Sequence, residues 1–234
     1  YYITDTIEIP RGIDVIMDSP IIFGGQHNRP ALKIGDNNTH NMRVEMKLQA
    51  ISKELSNWSN DDYVGIQVVN AYSCNIEIFR VEEFTVGVEF LADNSRGFTM
   101  NNIDLNYFRN NKYSVLVSQQ NSGWPNANSY YGGLFYRNSN TNVGQTSYSI
   151  AIISKDGSYT NINANRFYAP NFESREYNIP ILIEGGNDNL IRDLRSEGNN
   201  KEKLAIIKNG MRNHITTNLV ISSSKKIETY GSLS

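Results

Sequence analysis

Two carboxylates four residues apart, Glu89 and Asp93, are the candidates for acid–base catalysis in this chain. Glycoside hydrolysis needs two carboxyl groups roughly 5–10 Å apart across the scissile bond. Lyase chemistry needs a base with cationic support for the substrate. Glu89 is the fourth residue of a strand-like phrase, Val-Gly-Val-Glu-Phe, and Asp93 lies in the turn after it. Glu77 and Asp104 also alternate to outward positions, but on other strands, so the acids able to join Glu89 are Asp93 and the loop residues Asp61 and Asp62. Each of these, taken singly, is also an ordinary solvated charge. No Gly-rich phosphate loop, metal-binding acid cluster or Ser/His/Asp order stands out, and neither a metal nor a cofactor is expected. The single cysteine, Cys74, excludes an internal disulfide and a Cys-rich zinc site; in its turn it reads as a partly buried, inert thiol. His27, His40 and His214 fall in separate turns without ligand spacing.

A second set of residues has the chemistry of sugar binding. Aromatic rings pack on the apolar face of a pyranose while amides and charges pair with its hydroxyls. Trp124, Tyr130 and Tyr131 lie in Ser-Gln-Gln-Asn-Ser-Gly-Trp-Pro-Asn-Ala-Asn-Ser-Tyr-Tyr, residues 118–131, and Trp58, Glu173 and Arg175 lie in two other candidate insertions. With Gln67 they form a candidate ligand-binding set. Either tryptophan alone serves equally well to pin its own loop.

The elements that must position these residues repeat. A five-residue phrase recurs seven times, from Pro30, Val64, Val86, Tyr113, Tyr148, Ile179 and Leu204, at spacings of 34, 22, 27, 35, 31 and 25. Its first, third and fifth residues are apolar in nearly every copy, the period of two of a strand with one buried face; Lys208 breaks the pattern in the last copy. A second apolar pair follows 11 to 14 residues after each phrase start, except after Tyr113, where the offset of 21 marks residues 118–131 as an insertion. Fixed units with loops of variable length define a solenoid. Two or three short strands per unit, β-branched and bounded by Asn, Asp, Ser and Gly, predict an all-β, single-stranded right-handed parallel β-helix of about seven to eight coils. The coil is expected over 30–221, with an N-terminal cap coil at 1–29 and an exit segment at 222–234. A β-sandwich also has many short strands, but no reason to repeat their outward residues.

On this reading the second phrase residue (Ala31, Gly65, Gly87, Ser114, Ser149, Pro180, Ala205) is an outward column of small residues, a low floor for a ligand. The fourth changes from polar (Lys33, Gln67, Glu89) to apolar (Leu116, Ala151, Leu182, Ile207). An outward apolar stripe needs cover, so those four residues are the candidate contact of a side-by-side homotrimer.

With 234 residues, 39% of them hydrophobic, one sizeable core is affordable without a second domain. A net charge of −2 gives no global basic field for nucleic acid or anionic membrane, and no apolar run reaches membrane-spanning length, so no membrane insertion is expected. The chain starts Tyr1-Tyr2 without a methionine and is read as part of a longer protein. Asparagine, about one residue in seven, suits left-handed turns and stacked amide ladders.

Stretches such as Val-Gly-Val-Glu-Phe-Leu-Ala-Asp-Asn-Ser-Arg-Gly-Phe-Thr-Met-Asn-Asn-Ile-Asp-Leu, from Val86, and Thr-Ile-Glu-Ile-Pro-Arg-Gly-Ile-Asp-Val-Ile-Met-Asp-Ser-Pro-Ile-Ile-Phe, from Thr6, resemble coils of the pectin-lyase-like right-handed β-helices. The likeness covers most of the chain and is one of coil pattern. No counterpart of the superfamily's Arg and acidic calcium cluster, or of its paired-Asp motif, accompanies it. Short coils, Asn-rich turns and the outward stripe look most like a bacteriophage tail spike or appendage. That resemblance implies a virion-tail or extracellular module recognising bacterial cell-surface polysaccharide along the first sheet, by binding alone or with depolymerisation. A secreted monomeric lyase or glycoside hydrolase and a structural fibre spacer are the alternatives.

Overall fold

The computed structural model describes residues 1–53, 58, 60–138, 144–174, 177–197, 203–217 and 226–230. The phrases form one parallel sheet of nine strands: Ile7–Ile9, Leu32–Ile34, Val64–Val69, Val86–Ala92, Tyr113–Gln119, Ser147–Ser154, Asn178–Glu184, Lys203–Lys208 and Lys226–Tyr230. A second, longer parallel sheet runs through Glu45–Ser52, Asn75–Glu82, Asn102–Arg109 and Ser129–Arg137, and continues as Arg166–Tyr168, Leu190–Arg192 and His214–Ile215. A small third sheet holds Asn41–Met42, Ala71–Tyr72, Gly97–Thr99 and Trp124–Asn126. The four coils from Leu32–Ile34 to Tyr113–Gln119 visit the first, third and second sheets in turn, and strands pair with their counterparts one coil away. The chain is an all-β parallel solenoid. The seven phrases supply seven of the nine strands of the first sheet, and Ile7–Ile9 and Lys226–Tyr230 join at the two ends.

The core is built of in-register columns. Ile66, Val88, Val115, Ile150 and Ile181 stack on the first sheet, and Met46, Ile76, Ile103, Tyr130, Phe167 and Ile191 on the second. Deeper along the second sheet, Phe108, Phe135 and Phe172 stack at centroid distances of 5.1 and 5.4 Å. Burying each such side chain contributes about 1.5–3 kcal/mol.

The bend from the third sheet into the second is made by one residue per coil in the left-handed region: Arg43, Ser73, Met100, Ala127, Ala164, Asp188 and Arg212, with φ from 52° to 56°. The next residue turns inward. In five successive coils it is asparagine, and the amides form a chain: Asn101 Nδ2 donates to Asn128 Oδ1 (2.9 Å), Asn128 to Asn165 (2.8 Å), Asn165 to Asn189 (3.1 Å) and Asn189 to Asn213 (3.0 Å). Cys74 occupies the preceding rung, fully buried, and its backbone N–H donates to Asn101 Oδ1 at 2.9 Å. Burial pushes its thiol pKa up, so it is inert, and more deeply buried than the sequence implies.

Four expectations change. The small second-residue column faces inward: Ala31 belongs to the main core, a Cβ on Gly65 would meet the Phe84 ring at 2.8 Å, and a Cβ on Gly87 would meet the Asn111 amide at 3.1 Å. Second and third phrase residues both point into the corner, which breaks alternation and demands small side chains. The first residues (Val64, Val86, Ile179) instead join a separate outer cluster. Second, the last phrase is shifted by one: Ile181 pairs with Ala205, Leu182 with Ile206 and Ile183 with Ile207, so Lys208 no longer breaks the alternation and Ile207 packs against the core. Third, residues 118–131 are no insertion. Leu91 pairs with Ser118, Gly97 with Trp124 and Asn102 with Ser129, a constant offset of 27. Fourth, the apolar pair 12 residues after Val86, Phe98 and Met100, does not start the second sheet: Phe98 lies in the third sheet, and its coil supplies the second sheet from Asn102 onward.

Candidate functional site

On the outer face of the first sheet, the fourth-residue column runs Glu8, Lys33, Gln67, Glu89, Leu116, Ala151, Leu182, Ile206 and Glu228. Glu89 is buried. Its carboxylate accepts from Lys155 Nζ at 2.5 Å, Ser118 Oγ at 2.6 Å and Gln67 Nε2 at 2.8 Å. Burial pushes its pKa up, but the Lys155 charge and the three donors outweigh that and hold it below the usual glutamate value. An ionised carboxylate engaged this way is a structural anion, not a free base. Asp93 is likewise enclosed, accepting from Asn121 Nδ2 at 2.8 Å and Gln120 Nε2 at 3.0 Å in its turn. Among the described residues the two acids share no partner. Asp61 pairs with Lys112 at 2.6 Å. A polar depression of ≈ 430 Å³ lies beside Gln67, between Asp5, Glu8, Arg29 and Lys33.

The apolar half of this face is closed within the chain. Leu116, Ala151 and Leu182 are buried with Val64, Val86, Ile179 and Ile206, and Tyr113, Tyr148 and Ile153 pack against them. The Tyr113 and Tyr148 rings stack at 5.6 Å. Leu116, Ala151 and Leu182 thus offer little apolar surface of their own to a partner chain, and Ile207 packs with the main core instead.

The candidate sugar-binding set is dispersed. Tyr130 is in the core, stacked on Phe167 at 4.2 Å, and cannot touch a ligand. Trp58 is buried with the Arg137 guanidinium 4.7 Å over its ring. Trp124 sits on the third sheet against Gly97, with its ring centroid 5.9 Å from that of His40. Arg175 lies outside the described residues. Tyr131 and Glu173 are together on the outer face of the second sheet.

That second face holds an arrangement the sequence reading missed. Its outward columns are Lys47, Glu77, Asp104, Tyr131, Tyr168 and Arg192, then Gln49, Arg80, Tyr107, Leu134 and Asn171, then Glu82, Arg109, Tyr136 and Glu173. Between the first two columns, Phe79, Asn106 and Gly133 lie between the paired positions, and the register to the Glu45–Ser52 strand shifts at Phe79. Such irregularities re-aim side chains. Phe79 is thrown outward and is 56% exposed. Gly132 and Gly133, at φ of 71° and 99°, leave the face bare beside it; a Cβ on Gly133 would meet the Phe135 ring at 2.6 Å. The result is an open depression of ≈ 680 Å³ lined by Phe79, Arg80, Asn106, Tyr107, Gly132 and Leu134. Beside it the Tyr131 and Tyr168 rings stack at 5.2 Å, with the Arg192 guanidinium 4.7 Å from the Tyr168 ring. The constant offset of 27 that aligns Glu77, Asp104 and Tyr131 is the signal that could have found this face.

Among the described residues no group of three His, Cys, Asp or Glu side chains is placed to hold a metal ion. No family model, curated protein or solved structure matches the chain.

Proposed function

We propose that this chain is a recognition module for cell-surface polysaccharide, of the kind carried by the spikes and appendages of phage tails, with the sugar chain lying along the outer face of the second sheet. The observation that carries the reading is Phe79: a large exposed ring, aimed outward by an irregularity in the strand, beside an open depression floored by glycine. Its size falls in the range of small-ligand sites, and amide, hydroxyl and guanidinium groups of Asn106, Tyr107 and Arg80 surround an apolar platform. The Tyr131–Tyr168–Arg192 row extends the same chemistry along the solenoid.

A glycan array read beside a reducing-sugar assay tests this. Binding is expected for the parent chain and lost in Phe79→Ala, with the melting temperature unchanged because Phe79 is exposed. An empty array overturns the reading. One observation favours cleavage as well as binding: Glu77 and Asp104 are register partners pointing outward on neighbouring strands, which stand about 4.8 Å apart, near the carboxyl separation of retaining glycosidases. Release of reducing ends, abolished by Asp104→Asn, would identify that activity.

A further inference from the structure

Resting on that reading, we propose that the depression is a subsite for an anionic sugar residue, whose carboxylate or phosphate is received by Arg80 while its ring lies against Phe79. Charge is segregated by depth at this place. The carboxylates are inside and the guanidinium groups outside: the side chains of Glu82 and Glu83 are 5% and 12% exposed, those of Arg80 and Arg109 43% and 40%. Within this cluster the guanidinium groups are the outer charges although the cluster as a whole is balanced; Glu77 and Asp104 lie outward on the same face, one step along the strands.

The outward donors of Arg80 are open. Arg80 donates through Nε to Glu82 Oε1 at 2.5 Å, and that bond fixes its plane, while its two terminal nitrogens donate to no described residue. Arg109 is engaged, with the Tyr107 hydroxyl as a hydrogen-bond partner and Glu82 and Glu83 at 3.9 and 3.8 Å, so it adds positive charge behind Arg80 and not a second open fork. Tyr107 stands between them, in register with Arg80 and 5.9 Å from its guanidinium, and lines the depression with it. A guanidinium held at one edge presents its other edge as a fork, and that fork matches carboxylate and phosphate oxygens in pairs. Apolar packing is supplied one residue away by Phe79. Arg195, in contrast, is matched at the surface by Glu197.

Calorimetry on the intact chain tests the assignment with four probes: a uronate oligosaccharide, the same oligosaccharide with its carboxyls methyl-esterified, a glycerol phosphate oligomer, and the best neutral glycan from the array. One of the two anionic probes is expected to bind, and to weaken as salt is raised. The ester should bind about tenfold more weakly than the acid, or worse. Arg80→Lys keeps the charge but loses the fork, and is expected to weaken the anionic probe about tenfold. Phe79→Ala should weaken it in a chain that folds normally. Equal binding of acid and ester, or an anionic probe indifferent to Arg80→Lys and Phe79→Ala, would overturn the subsite. Neutral glycan binding with neither anionic probe bound would overturn it while sparing the broader reading. Failure of all probes and of the array would end both.

Discussion

Burial and charge act on Glu89 in opposite directions, and charge wins because Lys155 and two neutral donors reach it together. A carboxylate whose folded pKa lies below its unfolded value stabilises the fold above the unfolded pKa, and that contribution is lost as pH falls through the folded one. Stability is therefore expected to decline below about pH 4.5, near the ordinary glutamate value. In Glu89→Gln the protein should lose roughly 2–4 kcal/mol at neutral pH and show a shallower acid-side decline, measured by urea unfolding across pH. Glu83 has the opposite sign: burial raises its pKa, so its ionisation on going from acid to neutral pH opposes folding and partly masks the Glu89 effect. Tyr130 offers a cleaner test. Its ring is stacked in the core and its hydroxyl is buried without a partner. Tyr130→Phe keeps the stack and removes an unsatisfied polar group, so the chain should gain about 1 kcal/mol, read as a higher melting temperature; a loss would mean the hydroxyl has a partner.

At the scale of elements, the coil is held at one corner by the asparagine chain and the left-handed residue before it. Asn128 is a fully connected rung: it donates to Phe98 O at 2.8 Å and Asn165 Oδ1, and accepts from Asn101 N–H and Nδ2. Asn128→Leu would strand buried groups above and below, costing about 3 kcal/mol or more. The same change at the exposed strand residue Asn102 should cost little, and equilibrium unfolding of the two compares them. The preceding left-handed position holds Ala127 at φ 56°, a conformation that disfavours any Cβ by about 1–2 kcal/mol; Ala127→Gly is expected to recover about 1 kcal/mol. This corner also shows what the sequence concealed. Period-two alternation revealed the strands and the solenoid, because third and fifth phrase residues do fill the core. Alternation fails at corners, and there Gly65, Gly87 and Ser114 were read as floor when they face Phe84 and Asn111 or pack within. It also fails at irregular strands, where Phe79 and Gly133 fall outside the paired register and shape the site.

Across the whole molecule, the two long sheets have different outer faces, and the difference bears on assembly. The first sheet turns its apolar column into a private second core: Leu116 and Leu182 are buried among Val86, Ala151, Ile179 and Ile206, with Tyr113 and Tyr148 packed against them. The second sheet leaves Phe79 and Tyr131 exposed at 56% and 42% amid paired charges. Hydrophobic surface already removed from water cannot drive association, whereas exposed rings remain available to a ligand. Leu116→Ala should therefore behave as a core truncation, costing about 2–5 kcal/mol. Mass action makes the melting temperature depend on protein concentration only when folding is linked to association. If the stripe is intramolecular, the parent chain and Leu116→Ala should both melt at temperatures that do not change over a hundredfold dilution, with light scattering giving the same mass for each. A melting temperature that falls on dilution in the parent chain, and a smaller mass for Leu116→Ala, would instead return this column to the role of a subunit contact.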